Sequence, residues 1–197
     1  MNIIERETIG EAWQFAFNFI MQNGEIIWDG DQELIEYMHI NLVINAPDEL
    51  DPLAQVQDDS IRNLMRENFT EIKKLPALEN SWSYGWRLYD FQGVDQINWV
   101  IEKLNKKPES KSATISMLQK AGEELYVPCV SLLDFKIRNN SLWLSVTCRS
   151  LDFGKKAIYN FTNLASIAKK VANALEIDKI KLIVHVISAH IYKKDWK

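Results

Sequence analysis

The stretch VPCVSLLDFKIRNNSLWLSVTCRSLDFG, residues 127–154, constrains the fold more than any other part of the chain. Leu133, Phe135 and Ile137 alternate with polar neighbours, and Leu142, Leu144 and Val146 do the same. Asn139-Asn140 between them tolerate the left-handed backbone of a tight turn. The pattern predicts a β-hairpin with one face in the core. With a two-residue loop and no bulge, Arg138 pairs with Ser141 and, counting outward, Cys129 pairs with Ser150, both side chains on one face. Arg149 and Asp152 are then close neighbours of the cysteine. A thiol beside a guanidinium and a hydroxyl has the electropositive setting of a nucleophile. A lone cysteine in an apolar strand is ordinarily a small buried hydrophobe, and Cys148 reads that way. Cys129 differs, because Pro128 fixes the backbone ahead of it and the facing strand ends in polar residues.

Other segments declare their periods less sharply. Residues 9–22 carry Ala12, Phe15, Ala16, Phe19 and Ile20 at helical spacing and end at Asn23-Gly24. ELIEYMHINLVINAP, 33–47, is rich in β-branched residues and suits a strand ending at Pro47, and DELDPLAQVQDD after it reads as a polar surface loop. Residues 60–69 and 95–105 read as helices, the second with Ile97, Val100, Ile101 and Leu104 on one face. NKKPESKS, 105–112, is an exposed turn. Residues 157–175 form a long helix, with Asn160 and Asn163 near its start, where an asparagine can act as a cap. In KLIVHVISAHIYKKDW, alternation puts Val184, Val186, Ser188, His190 and Tyr192 on one face and His185, Ile187 and Ile191 on the other, so His190 and Tyr192 point the same way. His39 and His185 read as hydrogen-bonded core or edge residues.

Composition narrows the classes. A chain of 197 residues, 47% apolar, can bury a full core and fits one domain spanning 1–197. A net charge of −4 without a basic cluster argues against nucleic-acid binding and leaves room for a small anionic ligand. Glu5, Glu7 and Glu11 flank the first apolar stretch, which fits neither a signal peptide nor a membrane span, so a cytoplasmic protein is expected. Two cysteines and three histidines give no zinc motif, and neither a metal nor a disulfide framework is expected.

These residues resemble the thymidylate synthase family. YVPCV is similar to its Pro-Cys nucleophile motif, CRSLDFGKKAIYNFTNLAS to its Arg-Ser-x-Asp run followed by Asn, and SAHIY to its His-x-Tyr strand. SYGWRL resembles the Tyr-Gly turn, and DQINWVIEKLNKKPESKSATISM the helix, Pro turn and strand ahead of the cysteine. The matches run in family order over residues 82–193, and the size is similar to that of the compact archaeal-type members.

The resemblance implies an α/β (α+β) three-layer fold, a mixed sheet of about five or six strands with helices packed on one face, assembled as a homodimer. It implies a one-carbon transfer from 5,10-methylenetetrahydrofolate to C5 of a uracil nucleotide, dUMP to dTMP, with Cys129 adding to C6. Arg149 and Ser150 bind the 5′-phosphate, Asp152 and Asn160 the ring edge, His190 and Tyr192 the sugar 3′-hydroxyl, and Tyr84 assists proton removal near C5. Lys111 and Ser112 stand where the family has two arginines that reach the neighbouring protomer's phosphate, which leaves one point charge at Lys111. Val130 replaces the frequent histidine after the cysteine, and neither the early catalytic glutamate nor the Gly-rich phosphate loop is recognisable. Two alternatives accompany this reading: a pyrimidine nucleotide C5-hydroxymethylase, in which water quenches the intermediate, and a non-catalytic nucleotide-binding homologue. An asparagine at 160 favours uracil, because cytosine-directed members tend to carry aspartate there.

Overall fold

A computed structural model of the chain describes residues 2–55, 58–118 and 127–196. β1 (Asn2–Arg6) runs parallel to β3 (Gln32–Ile44), and α1 (Ile9–Asn23) and β2 (Glu25–Asp29) lie between them in sequence. α1 starts where it does because the Thr8 hydroxyl accepts from the Glu11 N–H while the Glu11 carboxylate accepts from the Thr8 N–H. Its buried stripe, Ile9, Ala12, Ala16 and Ile20, packs against the sheet.

The segment read as a surface loop instead contains α2 (Pro52–Gln55) and a buried carboxylate. Asp51 is 3% exposed because Oδ2 accepts from the Gly10 N–H at 2.8 Å and Oδ1 from the Leu53 N–H at 2.9 Å. One polar side chain thus satisfies the open N–H groups of two helices, a role that its composition disguised. α3 (Asp59–Thr70), capped by Asp58, leads to a small second sheet of β4 (Lys74–Leu75) and β5 (Ser81–Trp82). α4 (Tyr84–Tyr89), α5 (Gln96–Lys106), β6 (Ala113–Ser116), β7 (Val130–Arg138), β8 (Ser141–Asp152), α6 (Ala157–Ala174) and β9 (Lys179–Tyr192) follow.

Among the described residues the main sheet is mixed and has seven strands in the order β1-β3-β9-β8-β7-β6, with β2 also on β3. It exceeds the expected size because β1 and β2, five residues each, escape periodicity, and β2 is exposed on both faces. α1, α5 and α6 pack on one face. The other face carries no described helix; Trp143, Thr147, Ile183 and His185 are half-exposed there, and His39 Nδ1 lies 3.3 Å from His185 Nε2.

A line of irregular positions crosses this sheet and creates the site. In β8 and β9 the core-facing residues carry even numbers as far as Cys148 and Val186; beyond, they are Leu151, Ala189 and Ile191. In β3 the even residues Ile44, Leu42 and Ile40 give way to Ile35. The switch falls at Arg149, Ile187 and His39, which drop out of the pairing, and His39 takes φ +60°. In β7 the register shifts between Val130 and Leu132, an extra residue at Ser131 that turns the following side chains over.

Two expectations change accordingly. The predicted hairpin register holds from Arg138 to Leu132, but Val130 then faces Cys148, and the Arg149 N–H donates to the Cys129 carbonyl at 2.9 Å, so Arg149 rather than Ser150 is the backbone partner of Cys129. In β9, Val184 and Val186 enter the core and do not share an environment with Ser188, His190 and Tyr192, while Ile191 is buried.

Candidate active site

Beyond that line the strand ends, α3, α4, α6 and β2 enclose a cavity of 440 Å³ that contains Cys129, Tyr84, Arg149, Ser150, Asp152, Asn160, His190 and Tyr192. The bulge keeps the expected side-chain meeting although the backbone pairing differs. Ser150 Oγ donates to Cys129 Sγ at 3.5 Å. Tyr84 Oη accepts from the backbone N–H groups of Cys129, 3.0 Å, and Val130, 3.3 Å, so a buried phenol holds the first turn of β7 against α4. Gly85 lets α4 pack closely against the C-terminal end of α3, since a Cβ there would collide with the Glu71 carbonyl.

Arg149 clamps the same segment. Nη2 reaches the Val127 carbonyl at 2.5 Å, Nε lies 3.2 Å from both the Val127 and Pro128 carbonyls, and Nη1 donates to Ser150 Oγ at 3.2 Å. The guanidinium therefore fixes the backbone that carries Cys129 and is linked to the sulfur through the Ser150 hydroxyl.

Side chains on the floor follow the register. Glu36, His190 and Asp152 form one rung across β3, β9 and β8, and Ser188 and Ser150 lie on the next, whose β3 member, Met38, is outside the cavity lining. Asp152 Oδ1 accepts from the Gly154 and Lys155 N–H groups at 3.0 and 3.2 Å. Burial raises the Asp152 carboxyl above its ordinary range and pushes the His190 imidazole below its own, each partly opposed by the charge of the other. Tyr192 donates to Asp29 Oδ2 at 2.9 Å; burial first, and Asp29 second, push its phenol up to about 12.

Asn160 is 3% exposed, and its Nδ2 donates to the Lys156 carbonyl at 2.9 Å. Neither it nor Asn163 caps the helix, since both amides bond carbonyls one turn earlier. Asn160 Oδ1 is buried without a hydrogen-bond donor, an arrangement that calls for a ligand N–H. Cys148 is fully buried, and burial pushes its thiol up, as suits a core residue. Lys111 is exposed in the turn between α5 and β6 and does not line the cavity. Sequence reasoning missed Asp29 and Glu36, both in the cavity. The usable signal was a glutamate at strand spacing within residues 33–47, but it acquires meaning only once β3 is paired with β9.

A sulfur beside a hydroxyl, with a guanidinium and a buried open acceptor in the same cavity, is an arrangement suited to covalent chemistry on a flat heterocycle. The family model described as thymidylate synthase matches residues 14–197. This chain belongs to the thymidylate synthase family. Proteins provisionally named thymidylate synthase in Methanosarcina acetivorans and Methanothermobacter thermautotrophicus are 32% and 30% identical to it; both alignments take in 98% of this chain, with 91% and 95% of the relatives. The fold matches that of thermostable thymidylate synthase A from Bacillus subtilis with a TM-score of 0.70 at 13% identity, over 94% of this chain and 80% of that one. Among the described residues no helix is long and apolar enough to cross a membrane.

Proposed function

We propose that this protein transfers a one-carbon unit to C5 of a uracil nucleotide through a covalent bond between Cys129 Sγ and C6, with dUMP to dTMP as the reaction to be tested first. The observation that carries this reading is the pairing of Cys129, hydrogen-bonded by Ser150, with the open Oδ1 of Asn160 in one cavity. Uracil N3–H is the donor that Asn160 Oδ1 lacks, whereas neutral cytosine offers a lone pair there. Addition of the thiolate to C6 moves the ring π-electrons toward C5 and O4 and makes C5 a carbon nucleophile. Arg149 and Ser150 hold the phosphate, and Arg149 keeps the sulfur in an electropositive field. Tyr84 sits against the Cys129 backbone, from which its hydroxyl assists loss of the C5 proton; expulsion of Cys129 then restores the ring.

The cavity suits 5,10-methylenetetrahydrofolate as second substrate. Trp28, 64% exposed, joins Ile27, Leu78 and Met65 in an apolar wall suited to a planar pterin. When bound, the folate supplies the one-carbon unit and, for a methyl product, the hydride.

Assembly as a homodimer through the helix-free sheet face accords with its half-exposed apolar side chains and with Asn41 Nδ2, buried there without an acceptor. In such a dimer Lys111 supplies a charge to the neighbouring copy's phosphate. A cytoplasmic setting accords with Cys129 and Cys148 forming no disulfide.

Incubation with 5-fluoro-dUMP and methylenetetrahydrofolate, followed by mass spectrometry of the intact protein and its peptides, tests the proposal. Trapping on Cys129 supports it. An unmodified Cys129 together with no product from dUMP or UMP overturns it.

A further inference from the structure

We infer that Glu36 reads the nucleotide's sugar and that the cavity favours a ribonucleotide, UMP, over the deoxyribonucleotide. This rests on the reading of Cys129 and Asn160 above and concerns the opposite end of the same cavity. Glu36 stands directly across from His190 on the neighbouring strand. The Ser188 hydroxyl donates to Oε1, and Oε2 takes no hydrogen bond from any described residue. The Tyr192 proton is already committed to Asp29, so the phenol turns lone pairs toward a ligand. The wall formed by Asp29, Glu36 and Tyr192 is thus rich in acceptors.

Ligand groups divide between the two ends by charge. A phosphate beside two carboxylates is repelled, so it goes to Arg149, and the base goes to the open acceptor on Asn160. What remains for the acceptor-rich wall is the sugar, whose hydroxyls are donors. A deoxyribose brings one hydroxyl at this edge, while a ribose brings a vicinal pair, the group that an ionised carboxylate is shaped to accept.

Calorimetric titration of the wild type, Glu36→Gln and Glu36→Ala with UMP and dUMP tests the inference, thermal melting confirming that each variant is folded. The wild type is expected to bind UMP about tenfold or more tightly than dUMP, the usual scale for a charge-assisted hydrogen bond. In Glu36→Gln, Oε1 can keep the Ser188 hydroxyl while an N–H replaces the free acceptor, so the preference should vanish, with dUMP affinity within about threefold of wild type. Glu36→Ala should lose the preference equally. Equal affinities in the wild type, or a preference that survives in either folded variant, overturns the inference. If dUMP is bound and turned over without a ribose preference, only this inference falls; if neither nucleotide binds, the proposed function falls with it.

Discussion

Ser150 and Ser188 are register partners across β8 and β9, and their hydroxyls serve different groups: Ser150 donates to the Cys129 sulfur and Ser188 to the Glu36 carboxylate. One rung of the sheet therefore joins the proposed nucleophile to the acidic wall, and a ligand spanning the cavity would meet groups on both sides of it.

Cys129→Ser should abolish turnover and leave dUMP binding within about threefold, because a hydroxyl of similar size is a far weaker nucleophile at neutral pH. Stopped turnover with retained calorimetric binding is the expected pair of results. Cys148→Ala is the control: it deletes one buried sulfur, should lower stability by about 1 kcal/mol, and should leave kcat near wild type. A control as inactive as Cys129→Ser would show that the core, not the nucleophile, was being measured.

Arg149→Lys tests the clamp. A lysine retains the charge but cannot engage the Val127 and Pro128 carbonyls together with Ser150 Oγ. We expect kcat/KM to fall by about a hundredfold, roughly the loss of two charge-assisted hydrogen bonds. The rate of Cys129 alkylation by iodoacetamide should change in the same variant. An unaltered alkylation rate with weaker phosphate binding would assign Arg149 to the phosphate alone.

Asn160→Asp gives the open acceptor a full negative charge, which suits the amino group and protonated N3 of cytosine, and removes the N–H that bonds the Lys156 carbonyl. Competitive turnover of dUMP and dCMP should shift toward the cytosine nucleotide by about 1–3 kcal/mol per mismatched buried hydrogen bond. An unchanged preference would remove Asn160 from base recognition. A helix-capping role is already excluded by its bond to the Lys156 carbonyl.

The coupled pair Asp152 and His190 sets a pH dependence. Burial holds the His190 imidazole low, so the folded chain keeps it neutral where the unfolded chain takes up a proton. That contribution to stability is present above the ordinary histidine value, about 6.5, and is lost as pH falls through the lowered one. Asp152 acts in the opposite sense. Its raised carboxyl favours the folded state below the ordinary carboxylate value, and the contribution is lost as pH rises through the raised one. In Asp152→Asn the carboxylate no longer supports imidazolium, so NMR titration should show His190 protonating at still lower pH than in the wild type. A shift to higher pH would contradict the geometry.

What could be read from the sequence follows from the range of each signal. Alternation in residues 132–146 is local, so it revealed the hairpin, its register and the neighbourhood of Cys129, Arg149 and Ser150. The extra residue at Ser131 was hidden, because a bulge depends on how adjacent strands stack, and no residue type announces it. Glu36 was hidden for a related reason: its meaning comes from standing across from His190, a pairing between distant segments. Asp51 looked like loop polarity and proved to be a buried cap, since composition records that a residue is charged but not which N–H groups it satisfies. Alternation alone put His190 and Tyr192 on one side of their strand, and the resemblance covered what periodicity could not, placing Tyr84 with them before any strand order was known.

The switch at His39, Arg149 and Ile187 separates two kinds of inheritance within single strands. Residues on one side of it, such as Leu144, Val146 and Val184, pack in the core, and those past it, such as Glu36, Asp152 and His190, line the cavity. A descendant of this chain can therefore reshape the strand-borne wall of the cavity by rewriting the last rungs of three strands, while the part that keeps it folded stays as it was.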